Sequence, residues 1–315
     1  MLRLTLLLLT TLALPLSAAI EFKQSMDTVE VWIDGRPFTT LYFGPDTAKP
    51  YFHPLRAADG TIVTRQFPMD DSVAGEAHDH PHHRGLWFSH GDVNGYDFWA
   101  NESDQQPREK KGRIALKGVH KAADGFIRAD FEWLAPDGSV LLVDDRTIYF
   151  RPQGDLRIID YDIRLRAKLR PVKFGDTKEG TFAVRVAATM RETTPDRQPG
   201  KGVLVTSEGN RAEKEVWGTR AKWADYSGPV QGKTYGIAMF DHPQNPKHPT
   251  WWHARAYGLF AANPFGEHDF YRDEDRDGSI TLQPDEEIRF LYRVVIHPGD
   301  AEQAGLEELY REWAK

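Results

Sequence analysis

The stretch Arg157-Ile-Ile-Asp-Tyr-Asp-Ile-Arg-Leu-Arg-Ala-Lys-Leu169 alternates apolar and charged residues almost without error. Ile159, Tyr161, Ile163, Leu165, Ala167 and Leu169 fall on one side of an extended chain. Asp160, Asp162, Arg164, Arg166 and Lys168 fall on the other. A period of two over this length predicts a strand with one buried face. The same pattern recurs in both directions. Ile127, Ala129, Phe131 and Trp133 alternate with Arg128, Asp130 and Glu132. Phe182, Val184, Val186, Ala188 and Met190 alternate with Ala183, Arg185, Ala187 and Thr189. Ile288, Phe290, Tyr292, Val294 and Ile296 form a late strand. Val29, Val31 and Ile33 form an early one, ended by Asp34-Gly35. Asp59-Gly60, Asp124-Gly125, Asp137-Gly138 and Asp277-Gly278 supply turns between them. Many one-faced strands without βαβ alternation imply an all-β fold. The expected architecture is a large antiparallel β-sandwich. The convincing helix is last and short. Asp300 and Gln303 make a capping box, and Leu306, Leu309, Tyr310 and Trp313 make its apolar stripe. Thr193–Gly202 reads as a long loop, flanked by strands of similar character.

The chain has 315 residues, 40 Lys+Arg against 47 Asp+Glu, and no cysteine. Its 9 Trp, 17 Phe and 11 Tyr exclude a disordered chain. Zero cysteine excludes disulfides, thiolate metal sites and a cysteine nucleophile. The net charge of −7, with no basic run, argues against a nucleic-acid partner. Arg3, the apolar run Leu4–Leu14, Pro15 and the small residues Ser17-Ala18-Ala19 read as a signal peptide cleaved after Ala19. The expected mature protein is residues 20–315 as one β-sandwich domain, periplasmic or secreted, with no membrane contact after cleavage.

Chemistry-bearing residues gather in two places. Five of the twelve histidines, His78, His80, His82, His83 and His90, fall within thirteen residues. If Arg84–His90 is a strand, Arg84, Leu86, Phe88 and His90 share one face, and His83, Trp87 and Ser89 the other. Asp92, Asn94, Asp97 and Trp99 follow around Gly91 and Gly95. The second group contains His242, His248 and Trp251-Trp-His-Ala-Arg-Ala-Tyr257, and runs on to Asn263-Pro-Phe-Gly266. In an extended strand His253, Arg255 and Tyr257 face one way. They offer a base, a fixed cation and a phenol, which suits proton transfer beside a carbonyl or carboxylate. Asp273–Gly278 matches half of a calcium loop. Pro284 stands where the bidentate Glu belongs, so an acidic hairpin is expected. No phosphate loop, dinucleotide fingerprint, Gly-x-Ser-x-Gly elbow or His-Glu-x-x-His helix is present. A two-carboxylate glycosidase stays open, but no pair stands out.

His82-His-Arg-Gly-Leu-Trp-Phe-Ser-His-Gly-Asp-Val-Asn-Gly-Tyr-Asp-Phe-Trp99 resembles the signature of a secreted bacterial family labelled "PmoA-like", otherwise a domain of unknown function. Trp252–Gly266 and Tyr292–Asp300 are similar to it as well, so the resemblance spans nearly the whole mature chain. A methane mono-oxygenase subunit, which the label suggests, would need membrane helices that this chain lacks. The resemblance implies a supersandwich-like fold similar to mutarotases and polysaccharide lyases, in a setting of glycan degradation.

The resulting expectation is an exported carbohydrate-active enzyme, a lyase or hydrolase acting on a sugar or glycan. His83, Arg84, His90, His253, Arg255 and Tyr257 form the catalytic set. His82, Trp87, Asp92, Asn94, Asp97, Trp99, Trp252 and Asn263 bind substrate, the indoles by stacking. A variant holds a divalent metal on His83, His90 and His253. One alternative is a non-catalytic periplasmic glycan-binding protein. Another is a metal-dependent oxygenase with a His90, Asp92 and His253 triad. Whether the two histidine-bearing motifs meet in space is left open.

Overall fold

The computed structural model describes residues 18–315. Arg3, Leu4–Leu14, Pro15 and Ser17, on which the signal-peptide reading rests, lie outside the described residues. In chain order the strands begin with β1 (Ile20–Gln24), β2 (Thr28–Ile33), β3 (Arg36–Tyr42), β4 (Tyr51–His53) and β5 (Leu86–His90). Next come the long strands β6 (Arg113–Ala123), β7 (Phe126–Leu134), β8 (Val140–Gln153) and β9 (Leu156–Ala167). Then follow β10 (Val172–Phe174), β11 (Gly180–Arg185), β12 (Val203–Thr206), β13 (Trp223–Val230) and β14 (Lys233–Asp241). The last are β15 (Trp251–Ala254), β16 (Leu259–Asn263), β17 (Ile280–Leu282) and β18 (Glu287–Pro298). Three short helices are α1 (Ala212–Val216), α2 (Glu267–Tyr271) and α3 (Leu306–Trp313).

Two eight-stranded antiparallel sheets result. The first runs β1-β2-β3-β4-β5-β11-β16-β15, and the second β12-β13-β14-β18-β9-β8-β7-β6. β10 and β17 form a separate two-stranded ribbon. The tightest hairpins use residues with positive φ, as two-residue turns between twisted strands require. Asp34 and Gly35 (φ 50° and 70°) join β2 to β3, and Asp124 and Gly125 (φ 54° and 80°) join β6 to β7.

The alternation read from the sequence sets which face is buried. Ile159, Tyr161, Ile163, Leu165 and Ala167 enter the core between the sheets. So do Ile127–Trp133, Phe290–Ile296 and Val29–Ile33 at alternate positions. Asp160 and Asp162 face outward and pair with Arg293 and Arg289 of β18. Two readings ran too far. β9 ends at Ala167 and leaves Leu169 exposed. β11 ends at Arg185, and Ala188–Met190 forms a 3-10 turn. The core also holds a charge pair that no period announces. Asp144 and Arg146 are buried, bonded to each other, and Asp144 also accepts from Trp133 Nε1 at 2.8 Å. The Asp300–Gln303 box forms reciprocally, one turn before α3 begins. Leu306 and Tyr310 of α3 then bury against Ile158, Phe240 and Val295 on the outer face of the second sheet.

Candidate active site on the outer face of the first sheet

Strand register sorts the site residues onto faces. Phe52, Leu86, Val184, Phe260 and Ala254 pair in one row across the first sheet and point into the core. The next row, Tyr42, Tyr51, Trp87, Ala183, Ala261 and His253, points outward. Arg185 also points outward, paired with Leu259 and hydrogen-bonded through its backbone to Gly85.

On that face four rings stack into a column. Trp87 and His83 lie 5.3 Å apart at 20°, His83 and His80 4.8 Å apart at 11°, and His80 and Tyr257 5.2 Å apart at 16°. His82 packs edge-on against His83, and Trp99 against both His83 and Trp87. The two histidine-bearing motifs therefore meet, and they do so through Tyr257.

Arg185 is fully buried behind the column. Its Nη1 donates to His83 Nδ1 at 3.1 Å, and its guanidinium lies 4.5 Å over the Tyr257 ring. Accepting at Nδ1 places the His83 proton on Nε2. Burial, with further repulsion from His82 and Arg185, holds the His83 pKa well below 6.5, so the ring is a neutral donor. Its Nε2 is buried and unpaired, as are Trp87 Nε1, Trp99 Nε1 and Ser89 Oγ. Buried donors normally find partners, so this concentration on one face makes it the candidate site.

The segment that carries His80 is held by arginines. Arg65, 2% exposed, donates to the carbonyls of Ala77, Asp79, His80 and His83 and to Asp79 Oδ1. Arg185 reaches the same Asp79 oxygen at 3.1 Å. Burial pushes the Asp79 carboxyl up. The adjacent His80 ring and the charges of Arg185 and Arg65 overcome that and hold it well below the usual carboxylate range. His80 Nδ1 lies 3.2 Å from Asp79 Oδ2, at an angle poor for a hydrogen bond, and the side chain is 39% exposed. His80 adopts φ 46°, an unusual conformation for a non-glycine residue and one that clusters at functional sites. Burial raises the Tyr257 pKa to about 12 against the pull of Arg185 and Arg255, so the phenol keeps its proton. Met69, from the loop that follows Arg65, packs against the cluster that contains Tyr51, Trp87 and Trp99.

Several expected site residues stand elsewhere. His90 faces the core. Its Nε2 donates to Gly175 O at 2.8 Å, Phe265 packs on it, and burial lowers its pKa to about 4. His253 faces outward on β15, three strand spacings or about 14 Å from β5. It donates from Nδ1 to Lys178 O at 2.6 Å, and burial lowers its pKa to about 4. The sheet thus separates His90 from His83 and His253, and neither the three-histidine metal set nor the His90, Asp92 and His253 triad is assembled. Among the described residues no group of three or more His, Asp or Glu side chains is placed to hold a metal ion. Gly85, at φ 55°, interrupts the alternation before β5. Arg84 therefore turns to the outer side, over Tyr51 and bonded to Glu102 at 2.9 Å, away from Leu86, Phe88 and His90.

Trp252 belongs to the core and donates to Ala221 O. Trp87 and Trp99 are 1% exposed, so they offer no free stacking face, and their unpaired N–H groups are buried with them. Asp92, Asn94, Asp97 and Asn263 shape turns. Asp92 accepts from Gly95 N and Asp97 from Trp99 N. Asn94 bridges to Lys173 and Pro171, and Asn263 to Phe265 and Thr177. His82 Nδ1 is taken by Gln105. β15 ends at Ala254, so Tyr257 sits in the hairpin turn, and Arg255 pairs with Glu213 at 3.0 Å. His248 pairs with Asp241, and His242 packs on Trp313 beside α3, outside this site. The acidic stretch after α2 ties its carboxylates to its own turn: Asp273 to Asp275 N and Arg276, Asp277 to Ser279 N.

Sequence reasoning passed over Asp79, Arg65 and Arg185 as site residues. The available signal was Arg185, a lone charge in the apolar run Phe182–Val186.

A family described as "Family of unknown function (DUF6807)" matches residues 28–311. The chain belongs to that family. The membership agrees with the resemblance to a domain of unknown function read from the motifs, while nothing among the matches carries the name "PmoA-like". No curated protein matches the chain. A galactose mutarotase-like protein from Lactobacillus casei ATCC 334 is similar in structure at 10% identity and a TM-score of 0.42, over 89% of this chain and 100% of its own. The GH36 α-galactosidase AgaA from Geobacillus stearothermophilus is similar at 9% identity and a TM-score of 0.35, over 90% of this chain and 41% of its own. A polysaccharide lyase, BACCELL_00875, is similar at 12% identity and a TM-score of 0.30, over 90% of this chain and 33% of its own. Likenesses this remote carry no argument about ligand or activity in this DUF6807 protein.

Proposed function

We propose that this protein is a carbohydrate-active enzyme of the lyase type, working on the outer face of the first sheet. The observation that carries the reading is the column itself. A half-exposed His80 beside a carboxylate stacks on the protonated phenol of Tyr257, above the unpaired N–H groups of His83, Trp87 and Trp99. Neutral donors with no protein acceptor suit an oxygen-rich, sugar-like ligand.

The residues divide the work by their environments. Asp79, clamped by two arginines, stays ionised and orients His80. His80 Nε2 takes a proton from the carbon beside a carbonyl or carboxylate of the sugar. The His83 N–H, polarised by Arg185 behind it, meets the negative charge that develops. Tyr257 gives its proton to the glycosidic oxygen as the carbon–oxygen bond breaks, leaving a carbon–carbon double bond in the product. His80 then returns a proton to Tyr257 through solvent. Hydrolysis by paired carboxylates fits less well, since Asp79 is locked and Glu102 is shared by Lys49 and Arg84.

The test is a panel of neutral and acidic polysaccharides incubated with wild type, His80→Ala and Tyr257→Phe, read by the absorbance of unsaturated products. Wild-type turnover, reduced about 10²–10⁴-fold in each variant, is expected. Turnover that survives both substitutions, or products with new reducing ends and no unsaturation, would sink the lyase assignment.

A further inference from the structure

The outer face continues past Trp87, on the side away from His80. We infer that this continuation is a second sugar subsite, so that the ligand is an oligosaccharide lying across the strands and not a free monosaccharide. The inference rests on the sugar reading above and extends it.

Three observations carry it. First, Tyr42 and Tyr51 stand in register beside Trp87 and stack 5.1 Å apart at 15°, with Tyr42 only partly buried. They continue the aromatic packing of Trp87 across β4 to β3, and of these three rings Tyr42 is the one with exposed surface. From β3 to Arg185 on β11 is three strand spacings, about 14 Å. That is longer than one sugar ring. Second, His53 lies in the neighbouring outward row, paired with Thr40, and is 5% exposed. Its Nδ1 has no hydrogen-bond partner. Burial and the nearby Arg56 lower its pKa to about 3, so it is a neutral ring that lacks a hydroxyl-type partner. Third, Arg84 lies 5.6 Å over the Tyr51 ring, bonded through Nη2 to Glu102, with Nε unpaired. A flat aromatic surface flanked by an unpaired neutral imidazole and an unpaired guanidinium N–H matches a sugar ring. Its C–H face would cover the ring of Tyr42, and its hydroxyls would meet His53 and Arg84.

Calorimetric titration tests this with one- to four-residue members of a neutral series (cellooligosaccharides) and an acidic series (oligogalacturonides). The proteins are wild type, Tyr42→Ala and Tyr42→Phe, the last keeping the ring as a control for folding. In one series the tetramer is expected to bind wild type about tenfold tighter than the monomer. Tyr42→Ala should abolish that gain and Tyr42→Phe should keep it. A monomer as tight as the tetramer, or a length gain that survives Tyr42→Ala, overturns the subsite and leaves the sugar site standing. Failure of wild type to bind any member of either series overturns the sugar reading and the subsite together.

Discussion

His83 shows how one neighbour assigns a role. An imidazole read from sequence is equally a base, an acid or a ligand. The hydrogen bond from Arg185 at 3.1 Å removes two of these choices, because it consumes the lone pair on Nδ1 and leaves Nε2 protonated. Burial then keeps the ring neutral. The proposed mechanism therefore gives proton transfer to His80, which touches solvent and lies beside a carboxylate. Gly85 works at the same scale. A Cβ there would stand 2.0 Å from the carbonyl oxygen of Phe52, and its φ of 55° is unfavourable for any other residue. Gly85→Ala should therefore destabilise the protein by at least about 2 kcal/mol, read as the shift in urea midpoint. An unchanged midpoint would mean that Arg84 does not depend on this turn to reach the outer face.

At the scale of elements, the strands were legible and the site was not. Alternation in Arg157–Ala167 and Ile288–Ile296 gave the buried face directly, because one side meets apolar core and the other meets water. The same period separated His83 from His90, and the structure places them on opposite faces although Gly85 breaks the alternation between them. Grouping them as co-ligands overrode a geometric statement already present in the sequence. Asp79, Arg65 and Arg185 escaped notice because long-range ion pairs leave no period. Asp79 is 14 residues from Arg65 and 106 from Arg185. These arginines hold the segment from Ala77 to His83, which has no regular secondary structure of its own. Arg65→Met removes its hydrogen bonds to that segment at once. It should cost about 2–3 kcal/mol and speed amide exchange in residues 77–83 far more than in β9. Uniform acceleration across both would show a general loss of stability and no local clamp.

For the whole molecule, buried imidazoles tie stability to acid. His53, His83, His90 and His253 are all pushed below 6.5 by burial, and His82 is pushed down to about 2. The unfolded chain takes up these protons near pH 6.5 and the folded chain only well below it. Their contribution to stability is full above pH 6.5 and is lost as pH falls through the folded-state values, about 4 for His90 and His253, about 3 for His53 and about 2 for His82. His297 acts oppositely. Burial disfavours its charge, but the Asp225 carboxylate 2.9 Å away outweighs burial and raises its pKa. The support from His297 is full below pH 6.5 and fades as pH rises through the raised value. Thermal unfolding should therefore show Tm falling on both sides of a maximum near neutrality, with the steeper fall in acid. For His90 alone, a shift from 6.5 to about 4 corresponds to about 3 kcal/mol. His90→Gln should flatten the acid limb by that order, and an acid limb of unchanged slope would refute the linkage.

In the proposed function, ligand binds on the outer face of the first sheet and not among the core-facing residues around His90. A crystal structure of the protein with a saccharide from the screen tests it most directly. Saccharide density is expected within hydrogen-bond distance of His80 and Tyr257, with Met69 displaced and at least one of the His83, Trp87 and Trp99 N–H groups newly paired. Density elsewhere, with those three donors still unpaired, would contradict it.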